Sequence, residues 1–306
     1  MRRVAVLGGL GFVGSHLCNA LKAAGDHVVA FDNASQNAVL PTTSSADVVH
    51  LVGIDQLQWF SRERYDYVIH AASPAGPARI RPGYAMRQII EGMEQGLEFA
   101  ARTGARLIKL SSSEVYGRAG VPLIEAMPVW VDPRYDARSE YAIGFIGAEC
   151  AAFTHAHADV QILRLFNVVG PGQTAASGCV IPRFIAQARD GAPLTIFNGG
   201  HQRRTFTAVS DFTAFALRLM ETCPAGKGIW NVANPANTIS VRELAALVAR
   251  KAGVRRPEFK SVSGTEIGAH YRDGVEKADV DIAKARSIGW EPRVGIEEII
   301  ELCLQG

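Results

Sequence analysis

Three glycines and an acid near the start of the chain have the spacing needed to hold a charged ligand. Gly8, Gly11 and Gly14 follow the apolar run Val4-Ala5-Val6-Leu7 without a spacer, and apolar residues then recur at Val13, Leu17, Ala20, Leu21 and Ala24. The run reads as a strand buried on both faces, and the recurrence as one face of a helix that stops at Gly25. Strand, glycine turn and helix start, with Phe12 and Val13 at the opening, make a phosphate seat. Backbone N–H groups bare of side chains approach a pyrophosphate there, at the positive end of the helix. A side chain at Gly11 would stand between amide and phosphate. A second apolar run, Val28-Val29-Ala30-Phe31, ends in Asp32, placed to accept from both hydroxyls of an adenosine ribose and to repel a 2′-phosphate. The predicted ligand is NAD in preference to NADP.

The elements that must carry this site follow in order. Asn33 to Asp47 is rich in Ser, Thr, Asn and Ala and reads as a loop over the adenosine, and Val48 to Val52 as a third strand. Asp55 either meets the adenine amino group or begins a helix containing Leu57 and Phe60. Tyr67-Val68-Ile69-His70 is a fourth strand, and the small residues Ala71, Ala72 and Ser73 at its carboxyl end leave room for cofactor in a doubly wound sheet. Tyr84 to Thr103 has helical spacing before Gly104. Leu107 to Leu110 is a fifth strand that delivers Ser111-Ser112-Ser113-Glu114, and Val160 to Leu165 is a sixth. A helix over 211–220, a short strand over 228–233 and a capping box at Ser240–Glu243 complete the pattern. The predicted fold is α/β: a doubly wound (Rossmann) parallel sheet over 1–166, with 208–233 returning to it. A smaller discontinuous unit of 167–207 and 234–306 is expected to bind substrate.

Bulk properties narrow the class. A length of 306 residues at 48% apolar composition can bury a large core. A net charge of +2 gives no basic field for nucleic acid, and no apolar run is long enough to cross a bilayer. The five cysteines are scattered and odd in number, without metal-ligand spacing, which suits free thiols in a reducing compartment. With a strand at once and no leader, a cytoplasmic protein with no membrane partner is expected.

The spacing Gly-x-x-Gly-x-x-Gly resembles the extended, nucleotide-sugar-modifying branch of the short-chain dehydrogenase/reductases. Two further runs are similar to UDP-glucuronate decarboxylases and related NAD-dependent epimerases and dehydratases. They are His70-Ala71-Ala72-Ser73-Pro74-Ala75-Gly76-Pro77 and Ser111-Ser112-Ser113-Glu114-Val115-Tyr116-Gly117. The resemblance implies that Ser112 hydrogen-bonds the sugar 4-hydroxyl, that Glu114 lies against C5, and that Tyr141 is the acid-base group. Sugar 4,6-dehydratases have an Asp where this chain has Ser113, which disfavours dehydration. Arg79 or Arg81 would grip a uronate carboxylate or simply be solvated. Asn167 in Asn167-Val168-Val169-Gly170-Pro171 would touch the sugar diphosphate. The segment from Arg183 through Thr195 to Arg204 would clamp the nucleotide, with Arg204 neutralising the diphosphate. A further basic residue is expected at Arg272 or Lys277. The same resemblance implies a homodimer packed through the helices that follow Tyr84 and that carry Tyr141.

The pattern breaks at one place. The superfamily's Tyr-x-x-x-Lys places a lysine on the tyrosine's own helix face, where it binds the nicotinamide ribose and lowers the tyrosine pKa. Here the sequence is Tyr141-Ala142-Ile143-Gly144-Phe145, and Ile89 stands where the family usually has a proton-relaying Asn. An unperturbed tyrosine near pKa ~10 is ionised to only about one part in a thousand at pH 7. Three expectations follow: Tyr141 works with help from the nicotinamide charge alone, another base such as Glu114 or a histidine replaces it, or the protein binds without turnover. The leading reading is oxidation at C4 of a UDP-sugar, most like UDP-glucuronate decarboxylation and possibly releasing a 4-keto sugar. A 4- or 5-epimerase and a non-catalytic binder are the alternatives.

Overall fold

Residues 1–35, 44–74, 80, 83–132, 137–157, 159–222, 225–263 and 276–305 are described in a computed structural model of the chain. The sheet strands are β1 (Arg3–Leu7), β2 (His27–Asp32), β3 (Val48–Leu51), β4 (Tyr67–His70), β5 (Arg106–Ser112) and β6 (Val160–Leu165). The shorter strands β7 (Val168–Val169), β8 (Leu194–Phe197), β9 (Arg203–Thr205) and β10 (Thr207–Ala208) precede β11 (Lys227–Val232), and β12 (Thr238–Ser240) and β13 (Phe259–Val262) follow it. Seven strands form one sheet in the order β11-β6-β5-β4-β1-β2-β3, every pair parallel. From β1 the chain builds outward first to β2 and β3, then returns to β4 on the other side. That reversal opens a crevice at the carboxyl ends of β1 and β4, where a doubly wound sheet binds its ligand.

The apolar runs behave as their lack of charge demands: Val4, Ala5, Val6, Val68 and Ile69 are fully buried. Six helices matter for the site: α1 (Phe12–Ala23), α2 (Ala85–Thr103), α3 (Ala137–Thr154), α4 (Val180–Arg189), α5 (Val209–Thr222) and α6 (Val241–Lys251). α1 packs with α5 and α2 with α3. Gly104 ends α2 in the left-handed conformation, and the Ser240–Glu243 capping box opens α6.

A second core lies beyond the sheet, built from Phe184, Leu194, Ile196, Phe206, Leu244 and Ile300 among others. The division differs from expectation in one stretch. Val280, Ile282, Ala285 and Trp290 belong to the sheet's core, with Trp290 edge-on to Phe215 of α5 at 5.2 Å. These apolar positions lie in the final segment assigned to the smaller unit, and sequence order alone does not reveal that the chain comes back. No helix among the described residues is long and apolar enough to cross a membrane.

Candidate active site

A cleft of about 560 Å3 runs over the carboxyl ends of the strands, from the glycine turn to the second core. The turn's glycines have separate reasons to be there. Gly8 has φ of +80°, and a Cβ on it would sit 2.7 Å from the Ala72 nitrogen. A Cβ on Gly14 would strike the Gly8 carbonyl. At Gly11 a Cβ would meet only the Gly8 oxygen, at an ordinary 3.4 Å, and the residue lines the cleft with Phe12 and Val13. The fold needs glycine at 8 and 14; at 11 it is a ligand's approach that needs the space. No side chain caps α1, and its first turn carries no acid, so its N-terminus faces the cleft as a bare positive dipole end.

Asp32 is held by two backbone donors, Leu10 N at 3.0 Å and Ala34 N at 2.8 Å, and lines the same end with Asn33. Each of its oxygens keeps a lone pair for a ribose hydroxyl. Ala71, Ala72 and Ser73 form the opposite wall. These residues fit an adenine dinucleotide. Asp55 does not take part: it is exposed in the 3-10 turn Ile54–Phe60, its carboxylate folded back over Gly53, so the helix-start alternative is the one the structure displays.

At the other end Ser112, Ser113, Glu114 and Tyr141 line the cleft together. β5 delivers them: Ser112 ends the strand and caps the following 3-10 turn by accepting from Glu114 N at 3.2 Å. The next two residues of this motif are structural. Tyr116 is fully buried and donates to Asn231 Oδ1 at 2.7 Å, and a Cβ on Gly117 would strike the Trp130 carbonyl. Glu114 sits 3.7 Å from the Arg138 guanidinium, which also lines the cleft, as does half-buried Arg204. Burial and the neighbouring Arg138 push Arg204 down to about 10. Burial pushes Lys277 down to about 8, with Arg204 and Arg138 adding to the effect and Glu114 opposing it. Arg138 and Arg204 thus bring two guanidiniums to the cleft beside Glu114, an arrangement suited to an entering anion.

Some expected contacts are not made. Lys277 donates to the Gly117 carbonyl at 2.6 Å and does not line the cleft. Thr195 is turned away, its hydroxyl taken by Gln187 Nε2 at 2.9 Å, because alternation along β8 aims it at α4. Only its carbonyl serves, accepting from Arg183 Nη2 at 3.2 Å. Arg183 itself lines the cleft, 4.3 Å from the Phe197 ring centroid. Asn167 lines it as well, but its amide donates to the Thr205 carbonyl at 2.8 Å. Arg79, Arg81 and Arg272 lie outside the described residues.

On α3 the ring of Phe145 is buried and stands edge-on to Tyr141, centroids 4.8 Å apart. Ile89 is buried too, against Gly144. Burial, then Glu114 and Cys179, raise the Tyr141 phenol, with only the Ser112 hydrogen bond opposing them. Two residues with claims on this end were not singled out from sequence. Arg138 stands three residues before Tyr141, one turn away, a helical offset that could have pointed to it. Lys109 interrupts the apolar run of β5 and is fully buried, its Nζ 3.3 Å from Ser73 Oγ and 3.4 Å from His70 Nδ1. A lysine inside a strand that is buried on both faces was the available signal. Among the described residues no cluster of His, Cys, Asp and Glu has the geometry of a metal site.

Known proteins resemble this chain in sequence and fold. The chain is 32% identical over 317 residues to UDP-glucuronic acid decarboxylase 4 of Arabidopsis thaliana, covering 99% of this chain and 68% of that protein. It is 31% identical to UDP-glucuronic acid decarboxylase 1 of Xenopus tropicalis, covering 97% and 70%. Among solved structures, UDP-glucose 4-epimerase of Thermotoga maritima with UDP-glucose superposes with a TM-score of 0.82 at 25% identity, over 99% of this chain and 97% of that one. MoeE5 in complex with UDP-glucose and NAD matches with a TM-score of 0.82 at 26% identity, over 99% and 97%. The family described as NAD dependent epimerase/dehydratase matches residues 4–233. With its glycine turn, its seven-stranded parallel sheet and relatives along nearly its whole length, the chain belongs to the NAD dependent epimerase/dehydratase family of nucleotide-sugar enzymes.

Proposed function

We propose that this enzyme oxidises C4 of UDP-glucuronate and releases carbon dioxide from C5. The observation that carries the substrate is the placing of Arg138, Arg183 and Arg204 on the cleft, Arg138 beside Glu114. A sugar that brings both a diphosphate and a uronate carboxylate gives these guanidiniums two anions to hold, whereas a neutral hexose brings only the diphosphate. Ser113 adds support, since it has no proton to lose as readily as the Asp of sugar 4,6-dehydratases.

Bound NAD would supply the hydride acceptor for C4. The chain's own residues do the rest. Ser112 hydrogen-bonds the 4-hydroxyl and Tyr141 takes its proton. Glu114, across from C5, orders the carboxylate-bearing carbon; as carbon dioxide leaves, the electron pair of its bond passes into the enolate of the C4 ketone, and a proton from water then restores C5. Arg204 and Arg183 hold the diphosphate, and the apolar surface around Phe197 receives the base. The proposal extends to a homodimer through α2 and α3, where Met86 and Phe153 are exposed.

C4 epimerisation is the second reading, favoured by the superposition on UDP-glucose 4-epimerase across 99% of the chain. Incubation of the purified protein with NAD and UDP-glucuronate, followed by mass spectrometry of the sugar nucleotide, separates them. Loss of carbon dioxide is the expected result. A product of unchanged mass and altered configuration at C4 overturns decarboxylation in favour of the epimerase.

A further inference from the structure

Lys109 is a lysine that packing alone does not explain. Its amine is fully buried between the sheet and α3, and its hydrogen-bonding neighbours are a hydroxyl and an imidazole, not a carboxylate. His70 is held in one tautomer. Its Nε2 lies 2.8 Å from the Gly92 carbonyl, which can only accept, so Nε2 carries the proton and Nδ1 is left to accept from Lys109. Burial and the nearby lysine keep that imidazole neutral, its pKa well below the usual value. An apolar side chain of similar length would fill the same space without desolvating a charge.

The place to which the amine is brought is informative. Lys109 Nζ lies 5.8 Å from the centroid of the Phe145 ring, whose edge-on neighbour is Tyr141. Strand position 109 and helix position 145 therefore aim at one small volume from opposite sides. The family resemblance puts a lysine at 145, and this chain fills that position with a buried ring while a strand lysine reaches the same volume. Ser73, the other partner of Nζ, lines the cleft together with Tyr141. The amine thus meets the cleft through one hydroxyl.

We propose that Lys109 supplies from β5 the cation that α3 lacks, acting through Ser73 on the ribose next to the nicotinamide. The inference rests on the reading of the cleft as an NAD site. Lys109 is a positioning residue: it holds the Ser73 hydroxyl for the ribose, and it exchanges no proton with the sugar. Burial pushes the amine to about 7, so its charge is present on the acid side of neutrality and fades above it. The ionisable groups facing it are His70 on β4, Tyr141 on α3 beyond the Phe145 ring, and the Glu149–Arg164 pair joined to Ser111 one strand pleat away. The buried face of α2 contributes no ionisable side chain.

The test compares the parent, Lys109→Met, and the double variant Lys109→Met/Phe145→Lys, each titrated with NAD by calorimetry. Lys109→Met is expected to weaken NAD about tenfold. It should also lower kcat by tenfold or more with little change in KM for the sugar nucleotide. The double variant should recover both, because the cation returns from the helix side. Phe145→Lys alone should not raise turnover, since two ammonium groups would then share one buried volume.

Stability supplies a readout that needs no cofactor. The folded state binds Lys109's proton less readily than the unfolded chain does, between about 7 and the ordinary 10.5. The parent should therefore gain stability as pH rises through that window, and Lys109→Met should lack that gain. If Lys109→Met binds NAD as the parent does and kcat is unmoved, the inference is overturned and the cofactor reading stands. If the parent itself binds no NAD, the cofactor reading fails and this inference with it.

Discussion

The two ends of the cleft are made of different material. At the glycine end the ligand meets backbone: amides at the start of α1, the small residues after β4, and one carboxylate pinned by Leu10 N and Ala34 N. At the tyrosine end it meets long side chains gathered from β5, α3, α4 and β9. A backbone site depends on conformation, so few residues can stand at each position. A side-chain site depends on which atoms arrive, and these can come from more than one element. Phe145 at the family's lysine position breaks a motif of the second kind, while Gly8, Gly11 and Gly14 keep a motif of the first kind whole.

The sharpest way to break this comparison is to change the glycine end. Gly14→Ala puts a methyl group against the Gly8 carbonyl and close to the Gly9 Cα, backbone atoms that cannot rotate away. The expected cost is about 3 kcal/mol, seen as a large fall in Tm and loss of soluble protein. Gly11→Val divides the fold from the ligand. Its Cβ has ordinary room in the protein, so Tm should hold, while NAD affinity measured by calorimetry should fall on the order of a hundredfold, about 2.7 kcal/mol. Unchanged NAD affinity in Gly11→Val would mean that the turn is structural throughout.

The same contrast explains what was legible in the sequence. The glycine turn, Asp32 and the strand ends at Ala71 and Ser112 are local patterns, each written within a few residues, and the structure puts all of them on the cleft. Thr195 was misjudged because a run such as Leu194-Thr195-Ile196-Phe197 does not say which face of a short strand looks at the ligand; Gln187 on α4 decides it. The return of Val280 to Trp290 onto the sheet is a long-range packing event with no local mark. Lys109 was passed over because three apolar neighbours dominate the reading of its strand, and its meaning appears only when β5 and α3 lie side by side. The sequence shows that a lysine is missing from the helix; only the assembled sheet shows where another one stands.

The mildest prediction sharpens the comparison inside a single motif. Ser112 and Glu114 face the cleft, but Tyr116, two residues on, is fully buried with its hydroxyl 2.7 Å from Asn231 Oδ1 and the Arg164 guanidinium 4.8 Å from its ring centroid. Asn231 also donates through Nδ2 to the carbonyl of Leu123 and through its backbone N–H to Glu125 Oε1, so it cannot turn to find another donor. Tyr116→Phe removes one hydroxyl, keeps the ring, and leaves Asn231 Oδ1 unsatisfied. The expected loss is about 1–2 kcal/mol in denaturant unfolding, with NAD affinity and kcat unchanged. A fall in kcat without loss of stability would place Tyr116 in the chemistry and remove the distinction between the two halves of the motif.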